Sequence, residues 1–399
     1  MKKSYLYLLA SAIVFAGFSA CKKDSIDQPQ KDLKMEYNAL SATSDYIQAF
    51  KDDNGQLTVD FTGQKQRLDM FVELDALMKS AQKQQISSVQ LKSMYANQNS
   101  AFSNPDLNAA TSKQLKDKTA ATLSITEAEK ARTNIESYFD KIALMSQSYN
   151  VTATDGLAGV YTNATGSKYL VDEKGIEWGQ VVAKSLIGAV MLDQIVNGYL
   201  GDEKQAVDNS KLVDGKNYTQ LEHHWDEAYG YLTSNSIYPK LKADGKKDER
   251  ALGSYAYQDI SAEEASKKTA ELYLAFLKGR AAVVNKDDQT RKEQIAFIRS
   301  TLEKTLAKVT ISYLKKTQDA IAANNFADAV HSLGEGAGFL YSLRFAHNPK
   351  INPTVSDNLF NELIGGPKGF YSLTSAKLTT IRTQIANAYG IDANATTTH

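Results

Sequence analysis

Residues 178–200, WGQVVAKSLIGAVMLDQIVNGYL, are apolar on nearly every side of a helix. Such a helix needs apolar surroundings on all faces, supplied by a bilayer or by other helices. The stretch is long enough to cross a membrane, but Lys184, Asp193, Gln194 and Asn197 lie within it, and such groups are costly in hydrocarbon. It therefore predicts a central helix enclosed by several others. Gly188 and Ala189 predict a close backbone approach along one side.

The rest of the chain supplies the enclosing helices. TGQKQRLDMFVELDALMKSAQ places Leu68, Phe71, Val72, Leu74, Leu77 and Met78 along one helical face. SITEAEKARTNIESYFDKIALMSQSY opens with Ser124 and early acidic residues, an N-cap signature, and its stripe is Ile135, Tyr138, Phe139, Ile142 and Met145. Residues 261–285 and 289–322 read as two long amphipathic helices parted by a turn at 285–288, and 326–345 and 373–389 read as two more. All six prolines, at 28, 105, 239, 349, 353 and 367, stand where loops are expected. Only 56–61, QLTVDF, alternates as a strand would, and it reads equally as extended chain. The part beyond residue 34 is longer than one core ordinarily serves. The expectation is an all-α fold of two packed bundles, with pseudo-symmetric halves at 35–232 and 233–399.

The N-terminus bears on location. Lys2 and Lys3 precede an apolar run from Tyr5 to Phe18, too short for a membrane span and typical of a signal peptide. It ends in Phe18-Ser19-Ala20-Cys21, which reads as a lipoprotein cleavage site after residue 20. Cys21 is the sole cysteine, so its acylation leaves a mature chain without disulfides or thiolate metal sites. Residues 21–34 are polar and without period, a lipidated flexible tether. Lys22 after the cysteine favours the outer membrane, on its periplasmic or cell-surface face. Cleavage removes two of 46 basic residues and leaves a slight acidic excess with no basic stripe, so nucleic acid is not an expected partner.

The chain holds five histidines, and two are adjacent in EHHWDEAYGYL, residues 222–232. HSLGEGAGFLYSL, residues 331–343, echoes that stretch at an offset of 108: His223 with His331, Glu227 with Glu335, Gly230 with Gly338, Tyr231 with Phe339, Leu232 with Leu340. An internal repeat implies related halves. On a helix His223 stands over Glu227 and His331 over Glu335, with His224 near enough to share the first face. Two readings follow. Each histidine is a satisfied polar group beside its glutamate, or His223, His224, Glu227, His331 and Glu335 converge on one divalent metal. Imidazole with carboxylate suits iron, zinc, copper or manganese. Trp225 is expected to be buried packing, and Asp226 to cap or pair locally. His-Glu-x-x-His, Gly-x-Ser-x-Gly and a phosphate loop are all absent from the sequence.

Taken in order, GQKQRLDMFVELDALMKSA, EWGQVVAKSLIGAVMLDQI, LEHHWDEAYGYL and HSLGEGAGFLYSLRF resemble the Bacteroidetes lipoproteins of domain of unknown function 4856, over most of the mature chain. That family carries no assigned activity. More distantly, His224-Trp225-Asp226-Glu227 is similar to the His-x-x-Glu part of a motif in imelysin-like proteins, with Glu222 where the motif has glycine. That resemblance implies paired helical bundles at a bacterial surface and a link to iron uptake. The functional expectation is an outer-membrane lipoprotein that binds a metal ion, iron or zinc, or a metal-containing ligand in iron acquisition. The alternatives are a glycan- or peptide-binding surface lipoprotein that partners an outer-membrane transporter, and a metal-dependent peptidase. A cleft lined by exposed aromatic rings, without converging histidines and glutamates, would favour the former alternative.

Overall fold

The computed structural model describes residues 33–397 apart from 247 and 258–261, with side chains for all of these except 262–269. Cys21, the expected signal peptide and all but the end of the expected tether lie outside the described residues. Residues from Met35 onward form one compact unit. It is all-α, with one small hairpin. The principal helices are α1 (Thr62–Ser80), α2 (Ile125–Met145), α3 (Trp178–Tyr199), α4 (Gln220–Leu232), α5 (Ala262–Val284), α6 (Asp288–Ala322), α7 (Phe326–Ser342), α8 (Pro353–Ile364) and α9 (Ser375–Tyr389).

The central helix is as anticipated. Nearly all of α3 is buried, so its apolar girth serves protein packing. Its first turns are α-helical, and it widens into π turns over Ile187–Leu192 and Gln194–Tyr199. α7 lies along it on a ridge of small residues. A Cβ on Gly338 would stand 2.6 Å from the Lys184 Cβ, and one on Gly188 would stand 2.3 Å from the Ser342 Cβ. The Gly188 N–H donates to Ser342 Oγ at 3.1 Å. The buried Asp193 accepts from Thr122 Oγ1 and from Asn197 Nδ2, so its carboxylate is satisfied inside the bundle.

Local chemistry explains the boundaries. The Ser124 side chain accepts from the Glu127 N–H as N-cap of α2. A capping box, Thr219 with Glu222, opens α4, and Asp287 caps α6. Pro105 and Pro353 each sit at the first position of a helix, where the missing N–H costs nothing, so the expected loops end one residue earlier. On α1 the buried set is Gln64, Arg67, Leu68, Met70, Phe71, Leu74 and Met78. Val72 is 37% exposed, since it lies about 100° round the helix from Phe71. QLTVDF is extended chain, held by a single antiparallel bridge between Lys51 and Leu57.

The hairpin joins β1 (Gly159–Thr162) to β2 (Lys168–Val171), antiparallel, with Tyr161 opposite Tyr169. Its turn is closed by Asn163 Oδ1, which accepts from the Thr165 and Ser167 N–H groups, while Gly166 takes φ +85°. This hairpin places Tyr169 against α7.

Candidate functional site

The two echoed stretches lie on α4 and α7 in comparable surroundings. Each packs its glycine onto the start of another helix: a Cβ on Gly230 would stand 2.6 Å from Phe61 Cβ, and one on Gly338 would stand 2.6 Å from the Val181 carbonyl. Each histidine lies over its glutamate, at 3.8 Å for His223–Glu227 and 3.7 Å for His331–Glu335. Each histidine ring also stacks on a tyrosine, Tyr218 at 5.0 Å or Tyr169 at 4.3 Å between centroids. Gly63-Gln64 opens α1 as Gly179-Gln180 opens α3.

The similarity ends at the polar partners. On α4, Glu227 accepts from Gln64 Nε2 at 2.9 Å, so the glutamine is spent on the glutamate. On α7, Glu335 is taken by the ammonium of Lys184 at 3.0 Å, with both side chains under a tenth exposed. The freed Gln180 leaves Oε1 buried without a partner. His331 turns Nδ1 to Glu177 Oε2 at 2.8 Å. Close packing of Gly334 against the Glu177 carbonyl brings these two together.

A cleft of about 520 Å³ opens here, between the end of α1, the hairpin and the start of α3. Tyr169, Glu177, Gln180 and His331 line it, with Lys79, Lys83 and Lys168 on its wall. Lys79 pairs with Asp75 at 2.6 Å, whereas Lys83 and Lys168 are exposed. Burial raises the Glu177 carboxyl above its ordinary range, against the pull of His331. Burial lowers the His331 imidazole, but Glu177 and then Glu335 outweigh it and hold the ring above its usual value. The cleft thus carries a histidine–glutamate pair, an aromatic face and two solvent-facing lysines, with an unpaired acceptor buried in its wall.

The convergence of His223, His224, Glu227, His331 and Glu335 is not found. Among the described residues no group of three or more His, Cys, Asp or Glu side chains is arranged to hold a metal ion. The donor set does not fit a bare cation. Glu335 already carries a lysine ammonium, Glu227 an amide, and His224 Nδ1 lies 3.0 Å from the Lys204 carbonyl. Burial lowers the His224 pKa, so that ring sits neutral in the core near neutral pH. Each arrangement has a local reason: α4 and α7 face different helices, so each glutamate answers to the polar group its own neighbour presents.

The family described as Domain of unknown function (DUF4856) matches residues 46–392, nearly the whole described fold. The chain belongs to that family. No curated protein and no solved structure matches it. Within this DUF4856 fold, Trp225 is buried packing as expected, with Nε1 donating to the Phe276 carbonyl at 2.9 Å. Asp226 pairs at long range. Arg280 of α5 donates Nε to Asp226 Oδ1 at 2.8 Å and Nη1 to Glu222 Oε1 at 2.8 Å, and Tyr46 donates to Asp226 at 3.0 Å. Sequence reasoning missed Glu177, Tyr169, Gln180 and Arg280. The recurring Gly-Gln pair marked the first helices of both stretches and could have pointed to Gln180. A four-residue strand is too short to announce Tyr169 by its period.

Proposed function

We propose that this chain is a lipid-anchored binding protein of the bacterial outer membrane, attached through Cys21, whose ligand site is the cleft beside His331. The reading follows the second expectation, a surface lipoprotein that takes up a ligand and passes it to an outer-membrane transporter. The observation that carries it is Gln180 Oε1, a buried acceptor without a partner in an open cleft that also presents the Tyr169–His331 stack. A buried unpaired acceptor costs free energy, about 1–3 kcal/mol, and a ligand O–H or N–H recovers it. Lys83 and Lys168 add attraction for an anionic group on the same ligand. A pocket of this size suits a small polar molecule, such as a sugar acid or a short peptide. Metal carried inside an organic chelate would meet the same surfaces through the chelator, while a bare ion finds no ligand set among the described residues. The unpaired acceptor, the aromatic stack and the exposed lysines of the cleft support a binding role.

The test is calorimetry on the purified protein against sugar acids, amino acids and dipeptides, alongside ferrous and zinc ions. The reading expects an organic ligand whose affinity falls at least tenfold in both Gln180→Leu and His331→Ala. Metal binding that depends on both His224 and His331 would refute it and restore the convergent site. Organic-ligand binding unaffected by either variant would also refute it.

A further inference from the structure

A second, longer depression runs along the outer face of α6. Two cavities of about 420 and 460 Å³ lie side by side there, and both are bounded by Ala296 and Arg299. They are two basins of one groove. From Arg291 to Lys304, α6 rises roughly 20 Å beneath it.

Arg299 forms the saddle between the basins and is pinned in place. Its Nε donates to the Val196 carbonyl at 3.0 Å and its Nη2 to the Leu200 carbonyl at 2.8 Å, capping the end of α3. Each acid near the groove lies beside a basic group or an N–H donor. Asp288 pairs with Arg291 at 3.2 Å, Asp202 lies 3.8 Å from Arg299, and Glu303 accepts the His347 N–H at 2.8 Å. Lys292 on one side of the saddle and Lys304 and Lys350 on the other are exposed. In the first basin two polar atoms are buried without partners, an acceptor at Gln205 Oε1 and a donor at Arg291 Nε, on residues only 8% exposed.

We propose that this groove binds a linear acidic oligosaccharide, a chain of uronic-acid units, at a site separate from the His331 cleft. On binding, Gln205 and Arg291 turn Oε1 and Nε out of the wall to meet sugar hydroxyls, which both donate and accept, while successive carboxylates meet the lysines on either side of the saddle. An extended peptide fits less well. The walls are helices and loops, with no strand edge to pair with its backbone.

The experiment titrates the lipidated full-length protein in detergent with a galacturonate pentamer, a neutral hexose pentamer and a glutamate pentapeptide. The uronate is expected to bind, with affinity falling as salt rises from 50 to 200 mM. Replacing Lys292, Lys304 and Lys350 together by alanine should weaken it roughly tenfold or more, since each exposed ion pair contributes a severalfold effect. The triple lysine-to-arginine variant should retain binding, which separates lost charge from lost fold. His331→Ala should leave the uronate affinity unchanged, so failure of the cleft reading and failure of the groove are told apart. Absence of uronate binding, equal affinity for the neutral pentamer or preference for the acidic peptide would overturn the proposal, as would an unaffected triple-alanine variant.

Discussion

Replacing Arg280 by methionine probes the most heavily committed polar contact in the fold. The guanidinium is fully buried and joins Asp226 and Glu222 of α4 to Thr58, while Tyr46 donates to the same aspartate. Methionine keeps much of the volume and removes the charge, so the loss is that of one partner of a buried pair. Asp226, itself 0% exposed, is left with no cation. Such losses cost about 3–5 kcal/mol, a large share of the 5–15 kcal/mol that holds an ordinary domain together. The penalty should depend on pH. Burial, outweighing Arg280, pushes the Asp226 carboxyl up to about 6 from a usual 3.8. A raised carboxyl binds its proton more tightly when folded, so its stabilisation is full below 3.8 and is lost as pH rises through the folded value. Without Arg280 that value climbs further. The variant's deficit should therefore narrow as pH falls from 8 towards 6, by up to about 1.4 kcal/mol per pH unit. Urea unfolding followed by helical circular dichroism at several pH values measures this. Adding Asp226→Asn should recover most of the loss, because no buried charge remains. A single-variant cost under about 1 kcal/mol, or a double variant as unstable as the sum of both singles, would refute the reasoning.

Three further outcomes are expected. Gly188→Ala drives a methyl group into Ser342 and should lower stability by about 1–3 kcal/mol, with Ser342→Gly restoring part of it; the melting temperatures of the three variants check this. His331 should titrate above 6.5 in an NMR pH series, and Glu177→Gln should lower its midpoint. Its favourable pairing is fully present below the unfolded value of about 6.5 and is lost as pH rises through the folded value. Cys21→Ala should abolish fatty-acid labelling in cells, and a variant that remains labelled contradicts lipid attachment at that residue.

Much of the fold was legible because helix formation is local. The turn at 285–288 parts α5 and α6 within a residue of where the polar run places it, and Ser124 caps α2 as its spacing implies. The buried girth of α3 follows from composition alone. Errors arose where one residue's rotation decides the face, as at Val72, or where an element is too short to carry a period, as in the hairpin that bears Tyr169.

The candidate site was half legible for a physical reason. A repeat of His, Glu and Gly at helical spacing dictates that each histidine stands over its glutamate, and both pairs do. What each glutamate binds depends on the helix that packs against it, which spacing does not encode. Gln64 reaches Glu227, whereas Lys184 reaches Glu335 and leaves Gln180 unpaired above an open cleft. Asp226 likewise has its partner 54 residues away on α5, since burial of its face selects whichever cation the packing delivers. Short-range hydrogen bonding and the period of apolar residues set the helices and their caps from the sequence alone. Tertiary packing decided the polar partners, because a buried charge or amide takes its energy from groups brought near it only when the helices meet.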